Sequence, residues 1–176
     1  MEHSTLMFKN PATEFAALLA SHQRLIFKVA GTYARAAADI DDLAQEIAAQ
    51  SWRAFASYDR ERRFSTWLYR IALNVAISWL RAEAPRQRRS VPYEAELHEP
   101  AVFPEHEDSD EGVTILRGFI AAQDPLNRAV LLLYLEERSY AEMSEILGVS
   151  ETNLTTKIGR LKERLRIYAE KHHGTR

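Results

Sequence analysis

Residues 139–165 read SYAEMSEILGVSETNLTTKIGRLKERL, two short helical patterns that meet at a glycine. In the first, Tyr140, Met143, Ile146 and Leu147 recur at three- and four-residue spacing, which places them on one helical face. Gly148 follows at once, where a helix ends most easily on a residue free to take positive φ. Ser150 is suited to cap a second helix, in which Leu154, Ile158, Leu161 and Leu165 form an apolar stripe while Thr152, Thr156, Arg160 and Glu163 lie opposite. Two short helices joined by a glycine turn, the second of them basic, have the layout of a helix-turn-helix that reads DNA. From Ser150 to Arg176 seven Lys or Arg stand against three Glu, a formal +4 that suits phosphate contacts. A plain helical hairpin with a solvated face shares this pattern, so the rest of the chain has to decide.

The chain has 176 residues, 46% of them hydrophobic, which suits one medium or two small globular domains and excludes disorder throughout. A net charge of -2 argues against nucleic acid only until its distribution is read. Glu94 to Glu111 holds eight acids and no Lys or Arg, so the remainder of the chain carries +6. The absence of cysteine rules out disulfides and thiol-based zinc or nucleophile chemistry, and is compatible with a reducing cytosol. No apolar run reaches the length of a membrane span, and the N-terminal residues have neither a charged n-region nor an h-region; the expectation is a soluble cytoplasmic protein.

Neither Gly nor Pro occurs between Thr32 and Ala84, whereas four of the six prolines, Pro85, Pro92, Pro100 and Pro104, follow closely. That shift marks a domain end and a linker. The expected fold is all-α: a helical domain over residues 1–90, a flexible, acidic, proline-containing linker over 91–111, and a helix-turn-helix domain over 112–176. In the first domain the periodicity predicts one helix from about Glu14 to Arg35, a second capped by Asp41 and running to about Tyr58, and a third opened by Ser65 or Thr66 and ended by Pro85. In the last domain Asp124-Pro125 opens a helix that packs under the helix-turn-helix.

Two outward faces stand out. On the second helix Asp42, Gln45, Glu46, Ala49 and Arg53 share one side, and the small Ala49 beside two acids leaves room for a partner helix bearing cations; a solvated face has the same spacing. On the third, Arg70, Asn74, Ser78 and Arg81 line the side away from Trp67, Ile71 and Val75, with Arg86, Arg88 and Arg89 extending a positive track fit for a nucleic-acid backbone. Trp52, Phe55, Tyr58, Phe64, Trp67, Tyr69 and Trp79 crowd the same region, either as stacking platforms for unpaired bases or as core. Catalytic residues are not expected, since no His, Lys or implied pocket accompanies the carboxylates. The six histidines show no metal-ligand spacing, so neither metal nor cofactor is expected.

With these features in hand, DDLAQEIAAQSWRAFASYD (41–59) followed by FSTWLYRIALNVAISWLR (64–81) resembles region 2 of bacterial RNA polymerase sigma factors of the extracytoplasmic-function group. DPLNRAVLLLYLEERSYAEMSEILGVSETN (124–153) resembles their region 4. Two motif sets in the right order are far more specific than either alone. The resemblance implies that Asp42, Leu43, Gln45 and Glu46 dock on core RNA polymerase, and that the Tyr58 to Phe64 loop with Arg70 and Asn74 engages the melted minus-10 element. It further implies that Thr152, Asn153, Thr156, Lys157 and Arg160 face promoter DNA at the minus-35 element, and that an anti-sigma factor or other regulator is a partner. Thr155 stands where the family often carries a basic residue, Gly159 interrupts the recognition helix on its outer side, and Ile47-Ala48-Ala49 replaces the usual bulky residues. The implied function is an alternative sigma factor without catalysis of its own. The rivals are a sigma-mimicking regulator that sequesters an anti-sigma protein without binding DNA, against which the outward Arg70, Asn74, Lys157 and Arg160 argue, and a stand-alone helix-turn-helix regulator, which needs no separate acidic face or basic track.

Overall fold

The computed structural model describes residues 10–89 and 111–172, with side chains to Ala82 and from Glu111 onward. The expected linker and the side chains of Arg86, Arg88 and Arg89 lie outside the described residues, apart from Glu111. The fold is all-α. Eight α-helices are described: α1 (Pro11–Ser21), α2 (Gln23–Tyr33), α3 (Ala37–Ala54), α4 (Phe64–Arg89), α5 (Glu111–Ala121), α6 (Pro125–Leu135), α7 (Tyr140–Leu147) and α8 (Glu151–His172). A single 3-10 turn, Phe55–Ser57, follows α3.

The expected first helix is two. Ser21 Oγ donates to the Leu18 carbonyl at 2.8 Å, His22 Nδ1 lies 2.8 Å from the same oxygen, and the His22 amide turns back to Leu19. Local side-chain bonds of this kind compete with the i to i-4 ladder, and the chain breaks at His22. Asp41 is not the cap of α3: the helix begins four residues earlier on the strong helix formers Ala37 and Ala38, anchored by Ile40 at 2% exposure. Nor does Pro85 end α4, which continues to Arg89. A proline deletes one backbone bond, and the turns on either side keep theirs.

Local signals in the C-terminal half are met. Asp124 caps α6 by accepting from the Asn127 amide, with Pro125 at the first helical position. Ser139 and Glu142 close a capping box on α7, and Gly148 ends that helix in the left-handed region at φ 66°. The Asn153 amide donates to Ser150 Oγ at 3.3 Å, starting α8. α8 runs through Gly159 without interruption, because Leu154, Ile158 and Leu161 bury its inner face and packing outweighs one glycine's propensity.

α2, α3 and α4 pack against one another around Val29, Leu43, Ile47, Leu68 and Leu73, while α5, α6 and α7 pack on α8 around Val130, Leu133, Met143 and Leu154. The two helical domains also touch, chiefly α4 on α7 and α2 on α6, and their buried apolar residues form one continuous cluster. On α4 the fully buried residues are Leu68, Tyr69, Ala72, Leu73 and Ala76, whereas Trp67, Ile71 and Val75 are only half-buried. The extra burial beyond one amphipathic stripe arises where the second domain covers α4.

Candidate protein and nucleic-acid interfaces

α3 presents the first candidate surface. Asp42, Gln45 and Glu46 are exposed, with Ala49 half-buried beside them. Glu46 accepts from Gln50 Nε2 at 2.7 Å and lies 3.9 Å from Arg53, one turn and two turns along the same helix. These weak, solvated ties leave the carboxylate available to a stronger cationic partner. Leu43, implied by the resemblance as a docking residue, is completely buried in the chain itself and supports the acidic face from beneath. One step along the helix turns it by about 100°, which carries Leu43 off the face that Asp42 shares and into the core.

The second surface is the loop from Tyr58 to Phe64 with the outer side of α4. Tyr58 Oη donates to the Arg62 carbonyl at 2.6 Å, and the Glu61 amide donates to Asp59 Oδ1 at 3.0 Å. Arg60 grips Glu14 through two bonds of 3.0 and 2.8 Å, which holds the Glu14 carboxyl below its ordinary pKa. The loop is thereby pinned rather than loose. Beneath it Phe15, Phe55, Tyr58, Phe64 and Trp67 stack edge to face and tilted on one another, with Phe15 and Phe55 5.1 Å apart. These aromatics are mainly core, whereas Trp52 at the margin is 46% exposed. Along α4, Arg70, Asn74, Ser78 and Arg81 are all exposed in one file, the side chains a phosphate backbone or an extruded base would meet first.

α8 presents the third. Thr152, Asn153, Thr156 and Arg160 are exposed over about two and a half turns, and Thr156 Oγ1 donates to the Thr152 carbonyl at 3.1 Å. Lys157 departs from the outward placement: it is half-buried and its ammonium donates to Asn127 Oδ1 at 3.3 Å. Asn127 is itself tied to the α6 cap Asp124. Lys157 therefore sits at the edge of the recognition face, held toward α6.

Sequence reasoning missed the seam between the domains. Lys28 of α2 pairs with Glu136, whose other oxygen lies 3.4 Å from Tyr69 Oη. The Arg138 guanidinium sits 5.1 Å from the centre of the Tyr69 ring and 3.6 Å from Glu142. Burial first, then the Glu136 carboxylate, pushes the Tyr69 hydroxyl up to about 12. Tyr33 Oη donates to the Pro125 carbonyl at 2.7 Å. Arg62 pairs with Glu145, and Arg63 lies 3.6 Å from Glu142. The only signal available in sequence was the acids of α7, which a solvated helix face would also carry.

Two small helical domains, one with an acidic helix face and a basic track, the other a helix-turn-helix, define the class of sigma-70-type transcription factors. Residues 18–86 match Sigma-70 region 2 and residues 124–165 match Sigma-70, region 4. Relatives include the ECF RNA polymerase sigma-E factor of Haemophilus influenzae, 30% identical over 77% of this chain and 78% of its own length. The ECF RNA polymerase sigma factor SigW of Bacillus subtilis is 29% identical over 73% of this chain and 74% of its own. Among solved structures, the sigma factor RpoE in complex with the anti-sigma factor NepR from Bartonella quintana aligns with a TM-score of 0.72 at 17% identity, covering 89% of this chain and 97% of that one. CnrH in complex with the cytosolic domain of CnrY aligns at 0.64 and 22% identity, over 89% and 88% of the two chains. The chain belongs to the ECF RNA polymerase sigma factor family and is an alternative sigma factor acting in transcription initiation. That family is one of non-enzymatic transcription factors. No helix among the described residues is long and apolar enough to cross a membrane.

Proposed function

We propose that residues 1–90 and 112–176 are the two working units of this sigma factor, that 91–111 joins them, and that each unit carries its own nucleic-acid surface. Asp42, Gln45, Glu46 and Ala49 dock on a cationic helix of core RNA polymerase, oriented by the buried Leu43. The Tyr58 to Phe64 loop with Arg70, Asn74 and Arg81 holds the melted minus-10 strand, while Thr152, Asn153, Thr156 and Arg160 read the minus-35 duplex in the major groove, with Lys157 at the rim. Trapping unstacked bases lowers the free energy of the melted state, so promoter opening needs binding energy and no bond-breaking group. The chain works where polymerase works, in the cytoplasm. One structurally similar sigma factor, RpoE of Bartonella quintana, was solved in complex with an anti-sigma factor, and a protein of that kind is the expected regulator here.

The observation that carries this reading is the pair of exposed files, Arg70–Asn74–Arg81 on α4 and Thr152–Asn153–Thr156–Arg160 on α8, set on separate domains of one chain. Potassium permanganate footprinting of a promoter with core polymerase and the full chain tests it. Reactive thymines around minus 10 are expected with the native chain and are expected to vanish with Arg70→Ala combined with Asn74→Ala, while minus-35 protection persists. Equal thymine reactivity in the variant would overturn the strand-holding assignment.

A further inference from the structure

Asn153, Thr156, Lys157 and Arg160 follow one another on α8 at three- and four-residue spacing and share a face, yet the Lys157 side chain is drawn off it toward α6. Its ammonium donates to Asn127 Oδ1 at 3.3 Å. Asn127 is a buried polar residue, 8% exposed, in the first turn of α6, and the cap Asp124 holds it twice. The Asn127 backbone N–H donates to Asp124 Oδ1 at 3.0 Å, and its Nδ2 donates to Asp124 Oδ2 at 2.5 Å. A carboxylate only accepts and an ammonium only donates, so a single orientation of the Asn127 side-chain amide satisfies both neighbours. The side-chain oxygen is thereby fixed toward Lys157.

The chemistry of that contact leaves the charge of Lys157 intact. Its partner is a neutral amide, and the ammonium keeps two further N–H donors. Asp124 is already satisfied: it caps the α6 N-terminus, whose dipole favours an anion, and Arg128 adds an attractive positive charge nearby. An aspartate at position 127 would instead form an ion pair with Lys157 and cancel the charge. Placement then selects what the charge meets. Drawn toward α6, the ammonium stands at the edge of the face that Asn153 and Thr156 present, where a helix in the major groove passes from base edges to the sugar-phosphate wall. A compact ammonium suits a phosphate oxygen as a point charge.

We infer that Asn127 is a positioning residue for promoter recognition. Anchored by Asp124, it holds the Lys157 ammonium, still charged, against one backbone phosphate beside the minus-35 element, and so sets the register in which Asn153 and Thr156 meet base edges. The inference rests on reading α8 as the minus-35 helix and assigns the role of Lys157 within it. Asn127 acts through Lys157 and has no DNA contact of its own.

Salt titration of holoenzyme on a duplex carrying a minus-35 element tests this, together with phosphate ethylation interference on the same duplex. Lys157→Gln is expected to reduce the slope of log affinity against log salt by about one and to erase interference at one phosphate. Asn127→Asp is expected to do the same by pairing the ammonium, and to add nothing further in the Lys157→Gln background. Asn127→Ala keeps the charge without its anchor, so its slope is expected to stay near native while interference spreads from one phosphate to its neighbours. A role confined to capping α6 predicts otherwise: both Asn127 variants lower the urea midpoint and leave slope and interference unmoved, which overturns the inference. An equal slope loss from Asn127→Asp with and without Lys157 also overturns it, being the mark of general repulsion between DNA and an added carboxylate. If Lys157→Gln leaves the slope unmoved while Arg160→Ala lowers it, the positioning role fails and the minus-35 reading stands. If neither moves the slope and Asn153→Ala and Thr156→Ala keep native base preference, the minus-35 reading fails and this inference with it.

Discussion

Reversing charge at Asp42 and Glu46 to lysine separates binding from folding, because the structure places both side chains in solvent above a buried Leu43. What folding loses is small: the Glu46 bond to Gln50 and its 3.9 Å approach to Arg53 are exposed same-helix contacts, worth about 0.3–0.5 kcal/mol each. The double variant should therefore unfold within about 1 kcal/mol of the native chain. Binding loses far more, since two attractive contacts with a cationic helix become repulsive. At the low end of measured interfacial charge couplings, about 1.5 kcal/mol per pair, two pairs amount to roughly 3 kcal/mol, or about a hundred-fold in affinity. Leu43→Ala reverses the pattern: emptying a completely buried position costs about 2–5 kcal/mol of stability. Urea unfolding of the full chain and titration against core polymerase give both numbers for both variants. Polymerase affinity of the charge-reversed chain within three-fold of native would refute the acidic face as the docking surface.

On α8, Asn153→Ala and Thr156→Ala are expected to relax base preference at one or two minus-35 positions, measured by binding to a promoter panel. Arg160→Ala is expected to weaken all promoters alike and to reduce the slope of log affinity against log salt by about one, the signature of one lost phosphate contact. The capping-box amide of Ser139 holds the Glu142 carboxyl below its ordinary pKa. The stability Glu142 contributes is thus present above its unfolded-state pKa, near 4.5, and is lost as pH falls through its lower folded value. Urea midpoints measured from pH 6 to pH 3 should decline less steeply in Glu142→Gln.

The helix boundaries of the C-terminal domain were legible, because they are written in local chemistry. Asp124-Pro125, Gly148 and Ser150 each satisfy backbone groups within a few positions of themselves. The break at His22 and the early start of α3 were not legible from periodicity, since the hydrophobic pattern continues across both. Lys157 was misplaced because its partner Asn127 lies 30 residues away on another helix. Lys28 and Glu136 are 108 residues apart, and no short-range pattern announces such a pair. Tyr69 looked like one more aromatic of a crowded helix until the second domain covered it.

In the proposed function one chain, with core polymerase, both selects and opens promoters through surfaces on separate domains. Run-off transcription by core polymerase reconstituted with the full chain, on fragmented genomic DNA with start sites mapped at nucleotide resolution, tests it most directly. A small set of discrete starts sharing two upstream elements is expected, lost in the Asp42→Lys, Glu46→Lys chain and shifted in elements by changes at Asn153 or Thr156. Starts no different from core polymerase alone would contradict it.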